Sequence, residues 1–190
     1  MNLVETIQKN LGFSPLQKID PNTQEVKKPG TMSAQDYLPQ AAIPTVLLGL
    51  YKFSRTEEGN TQLIKGELQN KLLKTIFGNK TQEVIDKVAT YTGNTTEFTA
   101  DKMEIIAWEA LHIIRNELSK QPTDTKVKTF LADQRHNILV CLPASLQLGE
   151  VLHDDTIDDR TNKMEGPVSS NMHWWEKLFP SSGRTKEENW

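Results

Sequence analysis

Apolar residues recur at helical spacing along most of this chain, and one stripe is wider than the others. Its members are Met103, Ala107, Ala110, Leu111, Ile114 and Leu118, with Ile106, Trp108 and Ile113 beside them. A stripe this wide predicts a central, mostly buried helix over about residues 100–119. Glu109, His112 and Asn116 share the opposite face, so we expect these three side chains to be solvated.

Two prolines interrupt a long apolar run in the first third of the chain. Pro39 and Pro44 each lack the backbone N–H that an α-helix needs, so the pattern predicts a short helix followed by a second one over about residues 44–55. Gly49 lies within the second helix. Because glycine costs helix stability relative to alanine, its presence there indicates close packing against another helix.

Two further stripes end at a glycine. The stripe from Leu63 to Phe77 stops at Gly78, and a shorter helix over residues 81–92 stops at Gly93. Glycine is the usual residue where the chain leaves an α-helix in a left-handed conformation. Both glycines are therefore predicted to be C-terminal helix caps.

The last part of the predicted core contains a proline whose effect has two interpretations. A helix begins near Asp124, and Pro143 either kinks it or starts a new helix; we predict a kinked helix around Pro143. No segment alternates apolar and polar residues for long enough to predict a strand. The fold class is therefore all-α, a compact multi-helix domain with about seven to eight helices.

Helix breakers and composition divide the chain into three parts. Residues 1–32 contain several prolines and are predicted to form a short N-terminal helix followed by an irregular arm. Residues 33–153 form the predicted helical core domain. Residues 154–190 combine an acidic turn, an amphipathic C-terminal helix and a polar tail.

Charge and cysteine content exclude several classes of function. The net charge of −3 lacks the basic footprint that phosphate contacts require, so we expect no nucleic-acid partner. The single cysteine, Cys141, lies in an apolar run and is interpreted as a small buried hydrophobic residue, which excludes an intramolecular disulfide and a thiolate zinc cluster. No cofactor is predicted.

Two further features concern location. The first residues carry neither a basic region nor a continuous apolar run, so we expect no secretory signal and a cytoplasmic protein. The longest uncharged stretch, residues 37–51, contains two prolines and falls short of the apolar length that a membrane span needs. No integral membrane span is therefore predicted.

The middle of the chain carries three short patterns in a recognisable order. They are the segment Ile43–Leu50, the segment Leu72–Gly78, and the segment Val84–Gly93 leading into the wide-stripe helix. Their order and spacing resemble the YidB-like family, a bacterial group whose domain has no assigned function, over about residues 42–119. The resemblance implies a compact multi-helix domain without a known active site.

One cluster has chemical character, an acidic turn made of Asp154, Asp155, Asp158 and Asp159. It resembles the first aspartate-rich motif of the trans-isoprenoid diphosphate synthases, in which carboxylates one helical turn apart hold magnesium against a diphosphate. Hard oxygen ligands of this kind suit Mg²⁺. The other interpretation is a solvated structural turn, because aspartate favours turns and the first positions of helices. We favour the structural turn, since the chain has no second Asp-Asp-x-x-Asp motif.

A second enzyme hypothesis combines His112, His153 and Asp154 with a later aspartate in a metal-dependent phosphohydrolase, although histidines at unrelated spacings are common. The remaining candidate is a partner-binding segment near the C-terminus, made of Met172, Trp174, Trp175, Leu178 and Phe179. Tryptophan favours interfaces, and because Lys177 is the only base there we expect docking on the protein's own core or a second subunit rather than on lipid.

The leading hypothesis is a non-enzymatic helical protein that acts through protein contacts or self-association as a homo-oligomer. The alternative is a Mg-dependent enzyme that handles a diphosphate or phosphate with the cluster from Asp154 to Asp159. No small-molecule substrate can be named from the sequence.

Overall fold

In a computed structural model, every regular element within the described residues, 1–27, 34–65, 71–118 and 123–158, is helical. The α-helices in these ranges are α1 Leu3–Asn10, α2 Ala34–Arg55, α3 Glu57–Lys65, α4 Leu72–Phe77, α5 Thr81–Thr92, α6 Thr96–Leu118, α7 Asp124–Leu139, α8 Leu148–Leu152 and α9 Asp155–Asp158. Short 3-10 helices, Gly78–Lys80 and Ala144–Leu146, precede α5 and α8. The predicted all-α fold is confirmed, and seven of these helices have six or more residues.

Helix α2 lies at the centre of the core and packs against α3, α4, α5, α6 and α7. Leu38, Ile43, Leu47 and Leu50 on this helix are all buried. The predicted wide-stripe helix is α6, whose inner side chains contribute to the same core. Two long helices therefore share the central position.

Pro39 and Pro44 do not break α2, and the prediction of two separate helices is wrong. Both prolines lie inside one helix of 22 residues. An interior proline costs roughly 3 kcal/mol. Burial of one large aliphatic side chain contributes about 1.5–3 kcal/mol, and α2 buries many of them, so packing outweighs the two lost backbone hydrogen bonds.

The predicted stripe from Leu63 to Phe77 is divided between α3 and α4 in the structure. Helix α3 ends at Lys65, and Lys71, immediately before α4, has the non-helical dihedral angles φ −120° and ψ 81°. Gly78 follows α4 with φ +58°, and Gly93 follows α5 with φ +73° while its N–H bonds Ala89 O. Both glycines end their helices as predicted, but only Gly93 has the left-handed helical conformation, because Gly78 has ψ −126°.

Pro143 starts a new element rather than kinking the helix before it. Helix α7 ends at Leu139, and Pro143 is extended immediately before the 3-10 helix Ala144–Leu146. Two hydrogen-bonded turns within residues 138–142 already close the end of α7, so the proline occupies a position outside the helix. The predicted kinked helix around Pro143 is therefore wrong: the proline begins a new 3-10 helix, and Gln147, in the left-handed conformation, separates that helix from α8.

Buried glutamine side chains fasten the N-terminal part to the core. Gln134 Oε1 accepts from Leu3 N at 2.9 Å, which fixes the start of α1. In the irregular arm, Gln17 exchanges two hydrogen bonds with Gln40 on α2, at 2.8 and 3.0 Å. The same Gln40 amide donates to Cys141 O at 2.8 Å. The arm thus packs on the core through amide-to-backbone bonds.

The remaining observations concern Cys141 and the membrane. Cys141 is buried, as predicted, and burial raises the pKa of its thiol. In the part of the chain that the structure describes, the helices are too short or too polar to cross a lipid bilayer.

Candidate functional site

The outward side of α6 carries two large apolar side chains that the core leaves uncovered. Ile105 is 48% exposed and Trp108 is 37% exposed. They belong to a line of exposed positions, which we call the α6 outer stripe. Its members are Glu97, Asp101, Ile105, Trp108, His112 and Asn116. At 100° per residue these positions span an arc of about 100° on the helix.

Two glutamates of α6 that flank the stripe, Glu104 and Glu109, bond to neighbouring helices and are directed away from the centre of the stripe. Both carboxylate oxygens of Glu104 accept from the first backbone N–H groups of α4, at Leu72 and Leu73. This supplies a cap that Lys71, the residue before α4, does not provide with its own side chain. On the other side, Glu109 accepts from Asn10 of α1 at 2.7 Å. The centre of the stripe is therefore left to Ile105 and Trp108.

The polar end of the stripe is formed by His112 and Asn116. The two side chains are exposed, as predicted, and His112 Nε2 lies 2.9 Å from Asn116 Nδ2. Which of the two groups donates in this contact depends on the histidine tautomer.

Asp154, the first aspartate of the predicted acidic turn, directly precedes α9, and both its carboxylate oxygens have protein donors. Oδ1 accepts from the backbone N–H of Thr156 at 3.2 Å and from the Thr156 hydroxyl. Oδ2 lies 3.2 Å from Nζ of Lys52 on α2. Arg135 on α7 donates to the same Thr156 hydroxyl at 2.8 Å. Asp154 therefore occupies the position of a helix N-cap and ties α9 to α2 and, through Thr156, to α7.

The same contacts set the acidity of Asp154. Partial burial by itself raises the pKa of this carboxyl, but the hydrogen bonds from Thr156 and Lys52 and the Lys52 charge outweigh burial. The pKa of Asp154 consequently lies below its ordinary value. Asp154 is a stable anion that the fold already neutralises.

The other predicted metal ligands are Asp155, Asp158, Asp159 and His153. Asp155 and Asp158 belong to α9, but their side chains, like the whole of Asp159, lie outside the described residues. His153 is exposed in the turn after α8. Among the side chains that the structure describes, no three His, Cys, Asp or Glu residues lie close enough together to hold a metal ion. The proposed combination of His112, His153 and Asp154 is thus not brought together.

An open groove of about 610 Å³ runs along the outer side of α5. Its lining residues are Glu83, Asp86, Lys87, Thr90, Tyr91 and Ser145. Glu83 pairs with Lys80 at 2.8 Å, and Asp86 accepts from Gln82 at 2.9 Å. These two carboxylates are thus engaged by neighbours in the chain, and the mixed lining indicates no particular class of ligand.

A chain of hydroxyl groups lies beside this groove. Tyr91 donates to Glu25 Oε2 at 3.2 Å, and the hydroxyls of Tyr37 and Tyr91 are 3.0 Å apart. The single hydroxyl proton of Tyr91 goes to the carboxylate, which only accepts, so Tyr37 donates to Tyr91. Glu25 Oε1 also accepts from Ser145 N at 2.8 Å. Burial raises the pKa of both tyrosines, so both hydroxyl groups stay protonated near neutrality. Their hydrogen bonds hold the arm against α5.

Some of these residues were not identified from the sequence, and others lie beyond the described part. Ile105 belonged to no predicted stripe, although its spacing from Trp108 and Asp101 marks it as a neighbour on one face. The predicted partner-binding residues Met172, Trp174, Trp175, Leu178 and Phe179 lie outside the described residues. Comparison with protein-family models, curated proteins and solved structures finds no match to this chain.

Proposed function

We propose that this chain is a non-enzymatic helical protein that acts through protein contacts, and that the α6 outer stripe makes them. The observation that carries this proposal is the pair Ile105 and Trp108, exposed side by side on a helix whose neighbouring glutamates are tied away from them. Tryptophan is enriched among residues that dominate binding energy at protein interfaces. An exposed apolar centre with a polar rim is the usual anatomy of such an interface.

Loss of protein contacts in stripe variants tests the proposal. The full chain is immobilised, proteins of its native host are captured and quantified, and self-association is followed separately by light scattering. We expect Ile105→Ser and Trp108→Ala to lower at least one of these two signals by about tenfold. Thr90→Ala, a change at an exposed position of α5, is the matched control. Melting temperatures show whether each variant is folded.

If neither signal depends on the stripe, the proposal is wrong. The enzyme alternative places the activity at a different part of the molecule, the acidic turn. In that alternative, substitution of Asp154, Asp155, Asp158 and Asp159 by alanine abolishes specific binding of Mg²⁺ or inorganic diphosphate in a folded protein. Calorimetric titration of both ligands into the intact chain and this variant measures it.

The resemblance of residues 42–119 to the YidB-like family is part of the same proposal, since it implies a helical domain with no known active site. It predicts that an experimental structure of a YidB-like protein superposes on α2, α4, α5 and α6 in the same order. A member with a different helix order contradicts the assignment.

A further inference from the structure

The spacing along the α6 outer stripe is symmetric about its centre. From Glu97 to Asn116 the intervals between successive exposed positions are four, four, three, four and four residues. The midpoint falls between Ile105 and Trp108. When a stripe with this property is turned end to end, a two-fold axis perpendicular to the helix brings each exposed position to an exposed position of the second copy.

We infer that the α6 outer stripe pairs antiparallel with the same stripe of a second copy of this chain, around a two-fold axis between residues 105 and 108. This inference rests on the proposed function and names its partner. In such a pair Ile105 of each copy lies opposite Trp108 of the other. Asp101 lies opposite His112, and Glu97 opposite Asn116.

The match of hydrogen-bond acceptors with donors favours a second copy in this orientation. The acidic residues Glu97 and Asp101 occupy the N-terminal half of the stripe, and His112 and Asn116 occupy the C-terminal half. Reversal of one helix therefore brings each carboxylate to a side chain that carries N–H donors. A parallel pair would place Asp101 against Asp101, which disfavours that arrangement because like charges repel.

The two glutamates beside the stripe do not oppose the pairing. Glu104 and Glu109 would approach each other across the axis, but Glu104 caps α4 and Glu109 bonds Asn10. Each carboxylate is thus turned toward its own subunit and partly compensated there. The apolar centre between them remains available for contact.

The expected dimer is weak and reversible. The stripe from Glu97 to Asn116 is about 28 Å long at a rise of 1.5 Å per residue. One helix face from each copy covers less area than a standard interface, and interfaces below that size are typically transient. We therefore expect dissociation constants on the order of 10 μM rather than nanomolar.

A charge exchange within one chain tests the geometry. Sedimentation of the full chain from about 1 to 200 μM gives the dissociation constant, in the range expected for a transient contact. His112→Glu places a carboxylate opposite Asp101 and weakens the dimer by about tenfold or more. Adding Asp101→Lys to the same chain restores attraction at both ends, so the double variant recovers to within about threefold of wild type. In a parallel pair the second change rescues nothing.

Cross-linking gives an independent check. Cys141 is buried and is replaced by alanine, after which Asp101→Cys and His112→Cys are introduced into separate chains. When the two proteins are mixed with a short bis-maleimide, the antiparallel pair predicts a mixed dimer in preference to either homodimer. A predominance of the two homodimers overturns the orientation.

The outcomes also separate this inference from the proposed function. A chain that stays monomeric throughout the concentration range, yet captures another protein in a Trp108-dependent manner, overturns self-association and leaves the proposed function standing. If Trp108→Ala alters neither dimerisation nor capture while the variant melts normally, both fail.

Discussion

Substitution of Gly49 by alanine sets two opposite effects against each other. Gly49 lies in α2 where that helix packs on α4, and a Cβ atom at this position would overlap two ring carbons of Phe77 and lie 2.8 Å from Cγ2 of Ile76. Carbon atoms of a well-packed core do not approach that closely. Both side chains are buried, with Phe77 only 7% exposed, so the ring cannot move into solvent. To admit a methyl group, the buried side chains of Phe77 and Ile76 must shift or the two helices must separate.

The magnitude follows from the difference between packing and propensity. Alanine is better than glycine in a helix interior by about 1 kcal/mol. Insertion of a methyl group into a filled core costs typically about 1–3 kcal/mol. Because the new carbon meets two buried side chains, we place the cost in the upper part of that range. The net loss in the free energy of unfolding is then about 1–2 kcal/mol, or a melting temperature lower by roughly 2–8 °C.

Thermal unfolding followed by circular dichroism measures the effect. Thr90→Ala, at an exposed position of α5, is the control because it gains helix propensity without a new contact. Phe77→Leu combined with Gly49→Ala should show a coupling energy, because the smaller side chain makes room for the added methyl group. If Gly49→Ala melts at or above the wild-type temperature, the close approach of α2 and α4 is not real.

Three further predictions concern polar contacts. Gln40→Ala removes three hydrogen bonds of a buried amide and should lower the free energy of unfolding by about 2–4 kcal/mol in urea titrations. An unchanged midpoint would contradict the role of Gln40 in holding the arm on the core. Tyr91→Phe should cost about 1–2 kcal/mol in the same assay, because Glu25 loses a donor. The lowered pKa of Asp154 means that its stabilising effect is present above the ordinary carboxyl range and is lost as the pH falls through the folded-state pKa. Asp154→Asn should therefore flatten the loss of stability below about pH 4, and an identical pH profile would argue against the Lys52 contact.

Local chemistry explains which elements were predictable. The predicted bounds of α5 agree with the structure because Gly93 ends that helix through its own backbone conformation. The start of α7 at Asp124 depends on the cap from the neighbouring Thr123, which accepts from Lys126 N. Both boundaries are decided within four residues. A sequence window contains all the atoms involved.

Elements decided by distant contacts were not predictable in the same way. The prolines of α2 have a local cost that any window detects, whereas the burial that outweighs this cost comes from five other helices. The role of Gln40 cannot be found from its neighbours in the sequence, since its partners Gln17 and Cys141 are 23 and 101 residues away. Trp108 was assigned to the edge of a buried stripe. Only the packing of α1 and α4 beside α6 shows that the side of α6 that carries Trp108 faces outward.

The acidic turn shows why spacing alone does not distinguish a metal site from a helix cap. Carboxylates one helical turn apart are equally suited to Mg²⁺ and to the start of a helix, because both use the same oxygen lone pairs. The distinction lies in what already occupies those lone pairs. At Asp154 a lysine ammonium holds one oxygen, and a backbone N–H and a hydroxyl hold the other. A metal bound there must displace Lys52 or share its oxygen, so any Mg²⁺ affinity at Asp154 should rise when Lys52 is replaced by methionine. A decrease in that variant would show that the lysine supports the ion rather than replacing it.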